Sequence, residues 1–253
     1  MVSLRGQRKT DDMNSYKAQG IVLHTIKYGD SSLVAYVLTD AAGRQSYMVQ
    51  GVRSCKGKGN KTALLQPMFL VEFEAVRGGR SHMDRIKEAK LLHPLQHIPF
   101  DIRKSTISLF MAEVLYKLVR EVEPDSTLFG FVKESVLVLD GLESGISNFH
   151  LWFLVQLSRF LGFYPANRYA EGDCFDIIEG CFTATQPDHS MIMNRPNSRL
   201  LDTMLYHSPD KLGEVALPRT QRADFLASLL LYYGYHLDTI NNIQSIKILG
   251  ELF

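Results

Sequence analysis

The sequence predicts an α+β protein with an N-terminal five-stranded OB-fold β-barrel, followed by an α-helical domain that carries a small irregular hairpin insertion. Residues 17–93 contain five short β-patterned segments joined by turns, and the apolar period becomes helical after Pro94 and Pro99. Charge divides at nearly the same place. Residues 1–90 hold 15 Lys and Arg against 8 Asp and Glu, whereas residues 91–253 hold 13 against 19.

The barrel domain is assigned to residues 17–93. Its predicted strands are Ala18–Ile26, Ser32–Thr39, Arg44–Val52, Pro67–Val76 and Ser81–Leu92. Five short strands separated by glycine-containing turns favour an OB-fold, with an SH3-like barrel as the alternative. The N-terminal residues are polar and aperiodic, and residues 1–16 are predicted to form a disordered extension.

The helical domain is assigned to residues 94–253, where apolar residues recur at helical spacing. The predicted helices are Arg103–Val122, Ser126–Leu139, Ser147–Leu161, a short helix at 197–207, and Arg219–Asn241. Proline and glycine interrupt residues 165–196. Within that region, Cys174–Phe182 predicts a short hairpin with its turn near Glu179 and Gly180.

A glycine- and lysine-rich loop is the clearest functional pattern of the barrel domain. Its basic residues are Arg53, Lys56, Lys58 and Lys61. The glycines between them allow the backbone to approach phosphates, and the lysines act as mobile point charges. Arg77 and Arg80 flank the next glycine turn. Arg85, Lys87 and Lys90 alternate along the fifth predicted strand, which predicts that they share one face. Three aromatic residues offer stacking platforms for unpaired bases: Tyr28, Tyr47 and Phe69. A single lysine indicates only a solvated surface, but the set favours a nucleic-acid partner.

In the helical domain, arginines stand beside aromatic residues, which predicts an apolar pocket with a cationic rim. Its candidate residues are Arg120, Arg159, Phe160 and Arg222. Such a pocket would suit an acidic peptide tail. For each residue taken alone, packing of the side-chain stem beneath a surface charge is the simpler interpretation.

Catalytic and metal-binding patterns are weak. The histidines are scattered without an HExxH motif, and the chain has no GxSxG motif, so catalysis is not indicated. Cys174, Cys181 and His189 are the candidate metal ligands, but their spacing does not match tight CxxC knuckles. We expect two free cysteines in a hairpin and no cofactor. Three cysteines suit a reducing cytosol, and no apolar run is long enough to span a membrane, so we expect a cytoplasmic protein.

Several motifs, taken in order, resemble one known family. Gly20–Ser54 (GIVLHTIKYGDSSLVAYVLTDAAGRQSYMVQGVRS) resembles the opening of RecO-type recombination mediators, which typically read G-I-V-L, then Y-G-[ED]-S, a G-R turn and K/Q-G-x-R. Leu64–Glu74 (LLQPMFLVEFE) is similar to the family's L-Q-P-x-x-x-x-E strand. Leu161–Pro165 (LGFYP) is similar to its L-G-[FY]-x-P helix end. The resemblance covers roughly residues 17–240, and the order of the motifs makes it specific.

The resemblance implies an OB domain, a helical domain and a role in homologous-recombination repair in the bacterial cytoplasm, associated with the nucleoid. Such proteins bind single- and double-stranded DNA and anneal complementary strands. With RecR, they help RecA replace single-strand-binding protein (SSB). The family also recognises the acidic, apolar SSB tail through its helical domain, and no enzymatic turnover is involved.

The DNA-binding hypothesis assigns phosphate contacts to Arg44, Arg53, Lys56, Lys58, Lys61, Arg77, Arg80 and Arg85. It assigns the SSB tail to the pocket of Arg120, Arg159, Phe160 and Arg222. Many family members carry a four-cysteine zinc motif after the L-G-F-x-P segment, of which this chain keeps only Cys174 and Cys181. We therefore interpret the zinc site as lost, with His189 as a replacement ligand the remaining alternative. Three other hypotheses stay open: an RNA-binding OB module, a protein-interaction adaptor and a metal-dependent hydrolase.

Overall fold

The chain divides into two compact units in the computed structural model, which describes residues 15–51, 61–79, 83–120, 123–237, 240 and 242–253. The barrel unit comprises Met1–Leu95 and Val119–Glu134. The helical unit comprises Gln96–Leu118 and Ser135–Phe253. The domain boundary between residues 93 and 94 stays a prediction.

Five strands close into a barrel: β1 (Ser15–Tyr28), β2 (Ser32–Thr39), β3 (Gly43–Gln50), β4 (Leu70–Val76) and β5 (Asp84–Leu91). Their order around the barrel is β1-β2-β3-β5-β4, with β3 and β5 parallel and the other hydrogen-bonded neighbours antiparallel. A short helix, α1 (Lys61–Leu64), precedes β4. The closed five-stranded barrel confirms the predicted OB-like architecture.

Alternating side chains of the strands fill the barrel interior, as the period of two in their sequences predicts. The core includes Val22, Ala35, Tyr47, Val49, Phe73 and Ile86, all at most 2% exposed. The rings of Tyr47 and Phe73 meet edge to face with centroids 5.0 Å apart. Burial of a large apolar side chain of this kind contributes about 1.5–3 kcal/mol.

Two predictions at strand ends were wrong. Ser15 and Tyr16 belong to β1 and not to a disordered extension of residues 1–16, because Tyr16 pairs with Ala75 of β4 and packs against the barrel core. Residues 1–14 lie outside the described part of the chain. The fourth strand begins at Leu70 rather than Pro67, since proline has no N–H to donate and Met68 has a φ of 63°.

The helical unit contains α2 (Ile102–Leu118), the part of α3 (Ser126–Gly141) from Ser135 onward, α4 (Phe149–Phe160), α5 (Arg195–Tyr206), α6 (Arg219–His236) and α7 (Ser245–Leu252). Helix α4 is apolar on nearly every face and lies at the centre, with α2, α5 and α6 packed around it. None of the described helices is long and apolar enough to cross a lipid bilayer.

The end of the helical unit differs from the sequence prediction. The helix predicted at Arg219–Asn241 ends at His236, where Leu237 turns to an extended conformation, and α7 was not predicted. Helix α7 has only eight residues, so its periodicity is too short to recognise.

The predicted hairpin at Cys174–Phe182 is confirmed. Strand β6 (Cys174–Asp176) pairs antiparallel with β7 (Cys181–Thr183), and Gly180 occupies the turn with a φ of 64°. A third strand, β8 (Ile192–Met193), pairs with the other edge of β6 and was not predicted.

Candidate nucleic-acid interface

An open cleft of about 550 Å³ lies where β3, β4 and β5 meet the end of β1. We call it the barrel cleft, and its lining residues are Tyr28, Met48, Gln50, Val76, Arg77, Gly78, Gly79, Met83 and Arg85. Two of the eight predicted phosphate-binding residues, Arg77 and Arg85, therefore lie in one cavity together with the predicted base-stacking residue Tyr28. This combination of cations and an aromatic ring is typical of single-strand binding surfaces.

Strand register explains why these side chains meet. Arg85 of β5 is opposite Met48 of β3 on one side and opposite Val76 of β4 on the other, and its side chain is exposed. Its Nη1 donates to Oε1 of Gln50 at 3.3 Å, which orients the guanidinium along the cleft. Arg77 follows β4 directly and is also exposed. Tyr28 is the last residue of β1 and is 60% exposed, so its ring is available for stacking.

A partly buried hydrogen-bond network fixes the turn beside the cleft. Asp84 accepts a hydrogen bond from Tyr16 Oη at 2.5 Å and another from the backbone N–H of Gly78 at 2.9 Å. The hydroxyl of Tyr47 lies 3.4 Å from that of Tyr16. Burial and the bond to Asp84 raise the pKa of Tyr16 above its ordinary value, so its hydroxyl stays protonated and donates.

The backbone of Gly78 lies against the backbone of Met83, at the other end of the β4–β5 connection. A Cβ atom built on Gly78 would lie 2.0 Å from the carbonyl oxygen of Met83, whereas a Cβ on Gly79 would meet nothing within 4 Å. We therefore expect Gly78→Ala to destabilise the barrel by about 1–3 kcal/mol, because the clash is with backbone that must shift. Gly79→Ala is the matched control. Calorimetric unfolding of both variants tests this, and equal shifts in Tm would contradict it.

Of the other predicted phosphate-binding residues, only Arg44 has a described side chain. Arg44 lies on β3 four residues before Met48, about 13 Å along the strand, with its guanidinium 5.8 Å from the ring centroid of Tyr36. It is therefore outside the barrel cleft. Lys61 begins α1, but its side chain is outside the described residues, as are Arg53, Lys56, Lys58 and Arg80.

Two basic segments that adjoin cleft residues in the sequence lie outside the described part of the chain. Residues 52–60 follow the lining residue Gln50 and its neighbour Gly51. Residues 80–82 lie between the lining residues Gly79 and Met83. The phosphate contacts assigned to Arg53, Lys56, Lys58 and Arg80 therefore stay predictions.

The prediction that Arg85, Lys87 and Lys90 share one basic face of β5 was wrong. A register shift lies between Glu74 and Ala75 of β4, which pair with Glu88 and Ile86, so Lys87 is left outside the pairing. Beyond this bulge, Lys90 is opposite Glu72, and its Nζ lies 3.4 Å from that carboxylate. Lys90 is therefore paired with a carboxylate, whereas Lys87 lines a second cavity of about 420 Å³ with Arg85 and Gln50, beside Glu74 and Glu88.

The predicted stacking residues also divide. Tyr28 is exposed, but Tyr47 is 1% exposed inside the barrel core, and Phe69 is half-buried. Residue type alone could not separate them, because strand alternation decides which aromatic rings point inward.

A second groove, of about 160 Å³, lies in the helical unit between α6 and α7. We call it the arginine groove, and its lining residues are His150, Arg219, Arg222, Ala223, Leu226, Ala227, Leu230, Ile246, Leu249, Gly250 and Phe253. Arg222 was predicted, whereas Arg219 and His150 were not. The missed signal is the spacing of three and four residues that places Arg219, Arg222 and the lining Ala and Leu residues on one face of α6.

Within the helical unit, the residues predicted for the peptide pocket lie at two separate places. Arg159 and Phe160 end α4, and the Arg159 guanidinium lies 4.6 Å from the ring centroid of Tyr164. Arg222 instead donates to Asn148, which directly precedes α4. The twelve-residue helix separates these two places by about 18 Å. Arg120 is exposed and belongs to the barrel unit.

Comparison with known proteins decides the family. The family model for the recombination protein O N-terminal region matches residues 13–95, and the model for the C-terminal region matches residues 99–242. The chain belongs to the recombination protein O family. A RecO relative from Bacteroides fragilis, named DNA repair protein RecO, is 39% identical over 239 residues, which cover 94% of this chain and 98% of the relative.

Two other relatives with that name agree. The protein from Phocaeicola vulgatus is 37% identical over 238 residues, and that from Flavobacterium psychrophilum is 33% identical over 239 residues. Both matches cover 94% of this chain and 98% of the relative. RecO membership places this chain in DNA repair and recombination, consistent with a barrel whose cleft carries cations and an exposed aromatic ring.

The RecO zinc motif does not fit the residues of this hairpin. Cys174 is opposite Thr183 and Cys181 is opposite Asp176, so the two thiols are not directly paired. His189 instead contacts Asp176, with Nε2 and Oδ2 3.2 Å apart. Burial, then Asp176 and Glu179, raise the pKa of the Cys181 thiol, which disfavours the thiolate that zinc requires. Within the described residues, no group of three or more His, Cys, Asp or Glu is arranged to hold a metal ion.

Proposed function

We propose that this chain is a recombination mediator that binds single- and double-stranded DNA at the barrel cleft, anneals complementary strands and helps load RecA onto SSB-coated DNA. The observation that carries the proposal is the convergence of Arg77, Arg85 and exposed Tyr28 in one cleft, in a chain of the RecO family. No catalytic turnover is part of the proposal, and RecR is proposed as the partner in loading.

The proposed mechanism uses sequence-independent contacts. Arg77 and Arg85 bind phosphates, and the ring of Tyr28 stacks on an unpaired base. Neutralising phosphates lowers the repulsion between two strands, so that base pairing selects the partner strand. The same contacts do not read bases, which is what annealing of arbitrary complementary sequences requires.

Annealing of two labelled complementary oligonucleotides, followed by energy transfer, tests the proposal. We expect acceleration on bare strands and on strands coated with cognate SSB, and about a tenfold loss of DNA affinity at low salt for the double variant Arg77→Gln/Arg85→Gln. The matched control is Lys17→Gln/Lys90→Gln, which removes the same charge from exposed residues that line a different barrel surface. The control is expected to keep most of the activity.

The salt dependence identifies the contacts. Removing two phosphate contacts should flatten the slope of log affinity against log salt by about 1.4 for single strands. An unchanged slope would remove the cleft from the interface. A clear preference for RNA of the same sequence, or no acceleration at low salt, would contradict the DNA mediator role itself.

For the SSB tail, we propose the arginine groove as the binding site. Its two arginines suit acidic residues and its small and aliphatic lining suits apolar ones. We expect Arg219→Gln to weaken binding of a labelled SSB-tail peptide about 5- to 20-fold, as loss of a charge-assisted hydrogen bond would. Arg159→Gln, at the far end of α4, is the control. Equal affinities of the two variants would place the tail elsewhere.

A further inference from the structure

Helix α7 is held to the helical unit by few buried side chains. Of its residues, only Ser245 and Leu249 are buried, while Ile248 is 51% exposed. An isolated eight-residue helix is not stable in water, so α7 depends on its contacts with neighbouring elements. Segments with so little buried apolar surface open locally at low free-energy cost.

Polar contacts fasten the first turn of α7 to α2. The carboxylate of Glu113 accepts hydrogen bonds from the backbone N–H groups of Gln244 and Ser245, both at 2.9 Å, and from Ser245 Oγ at 2.7 Å. Lys117, one turn further along α2, pairs with Glu113 at 3.0 Å and donates to the carbonyl oxygen of Asn242. Glu113 therefore supplies the cap that α7 lacks from its own sequence.

The other end of α7 is bound by the arginines of the groove. Arg219 donates to the carbonyl oxygen of Gly250, and Arg222 Nη1 donates to that of Phe253 at 2.7 Å. The ring of Phe253 stacks on that of His150, with centroids 6.0 Å apart and planes 16° apart. The two arginines thus bind main-chain oxygens of α7 and of the following residue, Phe253, while the ring of His150 contacts the side chain of Phe253.

The contacts of α7 with α6 and His150 leave part of the groove unfilled and one buried nitrogen without a hydrogen bond to any described residue. A space of about 160 Å³ remains between α6 and α7. His150 is 2% exposed and lines that space, and its Nδ1 has no hydrogen-bond partner among the described residues. Protein interiors are close-packed, and their buried polar atoms are hydrogen-bonded. An open space beside the unpaired Nδ1 of His150 therefore indicates a ligand site.

We infer that α7 and Phe253, which form one wall of the arginine groove, also cover part of a larger peptide site on α6 and His150, and that an acidic, apolar peptide displaces them when it binds. The inference rests on the proposed SSB-tail site and adds its regulation. Carboxylates accept stronger hydrogen bonds from arginine than backbone carbonyls do, so an acidic peptide competes well for Arg219, which donates to the carbonyl oxygen of Gly250. The apparent affinity for the peptide is then reduced by the fraction of molecules in which α7 is closed.

Hydrogen exchange of the full-length protein tests displacement directly. The probe is a peptide of the C-terminal residues of the cognate SSB, with a copy in which its acidic residues are replaced by amides as the negative control. We expect the acidic peptide to speed exchange of the α7 amides. Unchanged or slower exchange in α7 with the peptide bound would overturn the inference while leaving the proposed site intact.

A loosened attachment provides the second measurement. Glu113→Gln weakens the cap without touching the groove lining, and we expect it to speed α7 exchange and to tighten peptide binding about 3- to 10-fold. Ser245→Ala, which removes one of the three donors, should act in the same direction with a smaller effect. Glu143→Gln makes the same charge change at an exposed site and should leave affinity unchanged.

The two variants also separate the inference from the proposed function. Weaker or unchanged peptide affinity in both loosened variants, despite faster α7 exchange, would show that α7 does not compete and would overturn the inference. Absence of peptide binding to the natural chain and to both loosened variants would remove the proposed SSB-tail site as well.

Discussion

Replacing Asp140 by alanine is expected to destabilise the helical unit by about 3–5 kcal/mol. This carboxylate ends α3 at 8% exposure and accepts backbone hydrogen bonds from Gln96 at 2.8 Å, His97 at 2.9 Å and Ile98 at 2.7 Å. Alanine leaves all three N–H groups without this acceptor, and the N–H of Ile98, whose hydrogen bond is buried, alone costs about 1–3 kcal/mol when it is unsatisfied. The neighbouring buried ammonium of Lys104, bonded to the carbonyl of Asp140 at 2.6 Å, also loses a nearby negative charge.

The measurement is urea unfolding followed by tryptophan fluorescence. The chain has one tryptophan, Trp152, which is buried on α4 and reports the helical unit alone. The matched control is Asp101→Ala, which removes an exposed ion pair with Arg103 and a cap on the backbone N–H of Arg103, and should cost about 0.5–2 kcal/mol. Asp140→Asn, which retains one acceptor oxygen, should lie between them. A cost for Asp140→Ala no greater than that of the control would contradict the structural role.

The same carboxylate makes the helical unit sensitive to acid. Burial opposes ionisation of Asp140, but the three backbone hydrogen bonds outweigh it and hold its pKa below the ordinary 3.8. A depressed pKa contributes stability that is present above 3.8 and is lost as the pH falls through the lower value of the folded state. The gap in stability between the natural chain and Asp140→Asn should therefore narrow below pH 4. A gap that stays constant from pH 6 to pH 3 would contradict this.

The sequence predicts the barrel strands well because apolar and polar residues alternate regularly along them and glycine turns mark their ends. Strand alternation and glycine turns fix β1, β2 and β3 to within a few residues. The bulge at Lys87 could not be predicted, since one extra residue in a strand leaves no mark in its composition. That bulge decides which lysines of β5 join the basic surface, so the site was predicted less well than the fold.

In the helical unit, the position of the predicted pocket could not be derived from the sequence. Arginines beside aromatic residues predict a pocket, but Arg159 lies at one end of α4, whereas Arg222 of α6 contacts Asn148 at the other end, about 18 Å away. Adjacency in sequence does not choose between these two places. Only the contacts of Arg222 with Asn148 and Phe253 show which end forms a groove. Helix α7, which completes that groove, depends on Glu113, a residue 131 positions away in sequence from Gln244. Long-range capping of this kind is invisible to local patterns.

A double-mutant cycle on Tyr16 and Asp84 is expected to show that the barrel cleft depends on a partly buried polar network. Asp84→Ala removes the acceptor of the Tyr16 hydroxyl and of the Gly78 N–H, and should cost the barrel about 2–4 kcal/mol. Tyr16→Phe in the same chain removes the hydroxyl that was left unpaired. The double variant should therefore be less destabilised than the sum of the single variants, with a coupling energy of about 1–2 kcal/mol.

The cycle also separates stability from binding. In the Asp84→Ala chain, the turn that carries Arg77 loses its anchor at Gly78, so ordering that turn against DNA costs additional conformational entropy. Tyr16→Phe does not restore the anchor, and we expect it to recover stability but not DNA affinity. Calorimetric unfolding and salt-dependent DNA binding of the four chains measure the two quantities independently. Recovery of affinity along with stability would mean that Asp84 supports the barrel as a whole, and that the position of the turn does not control the cleft.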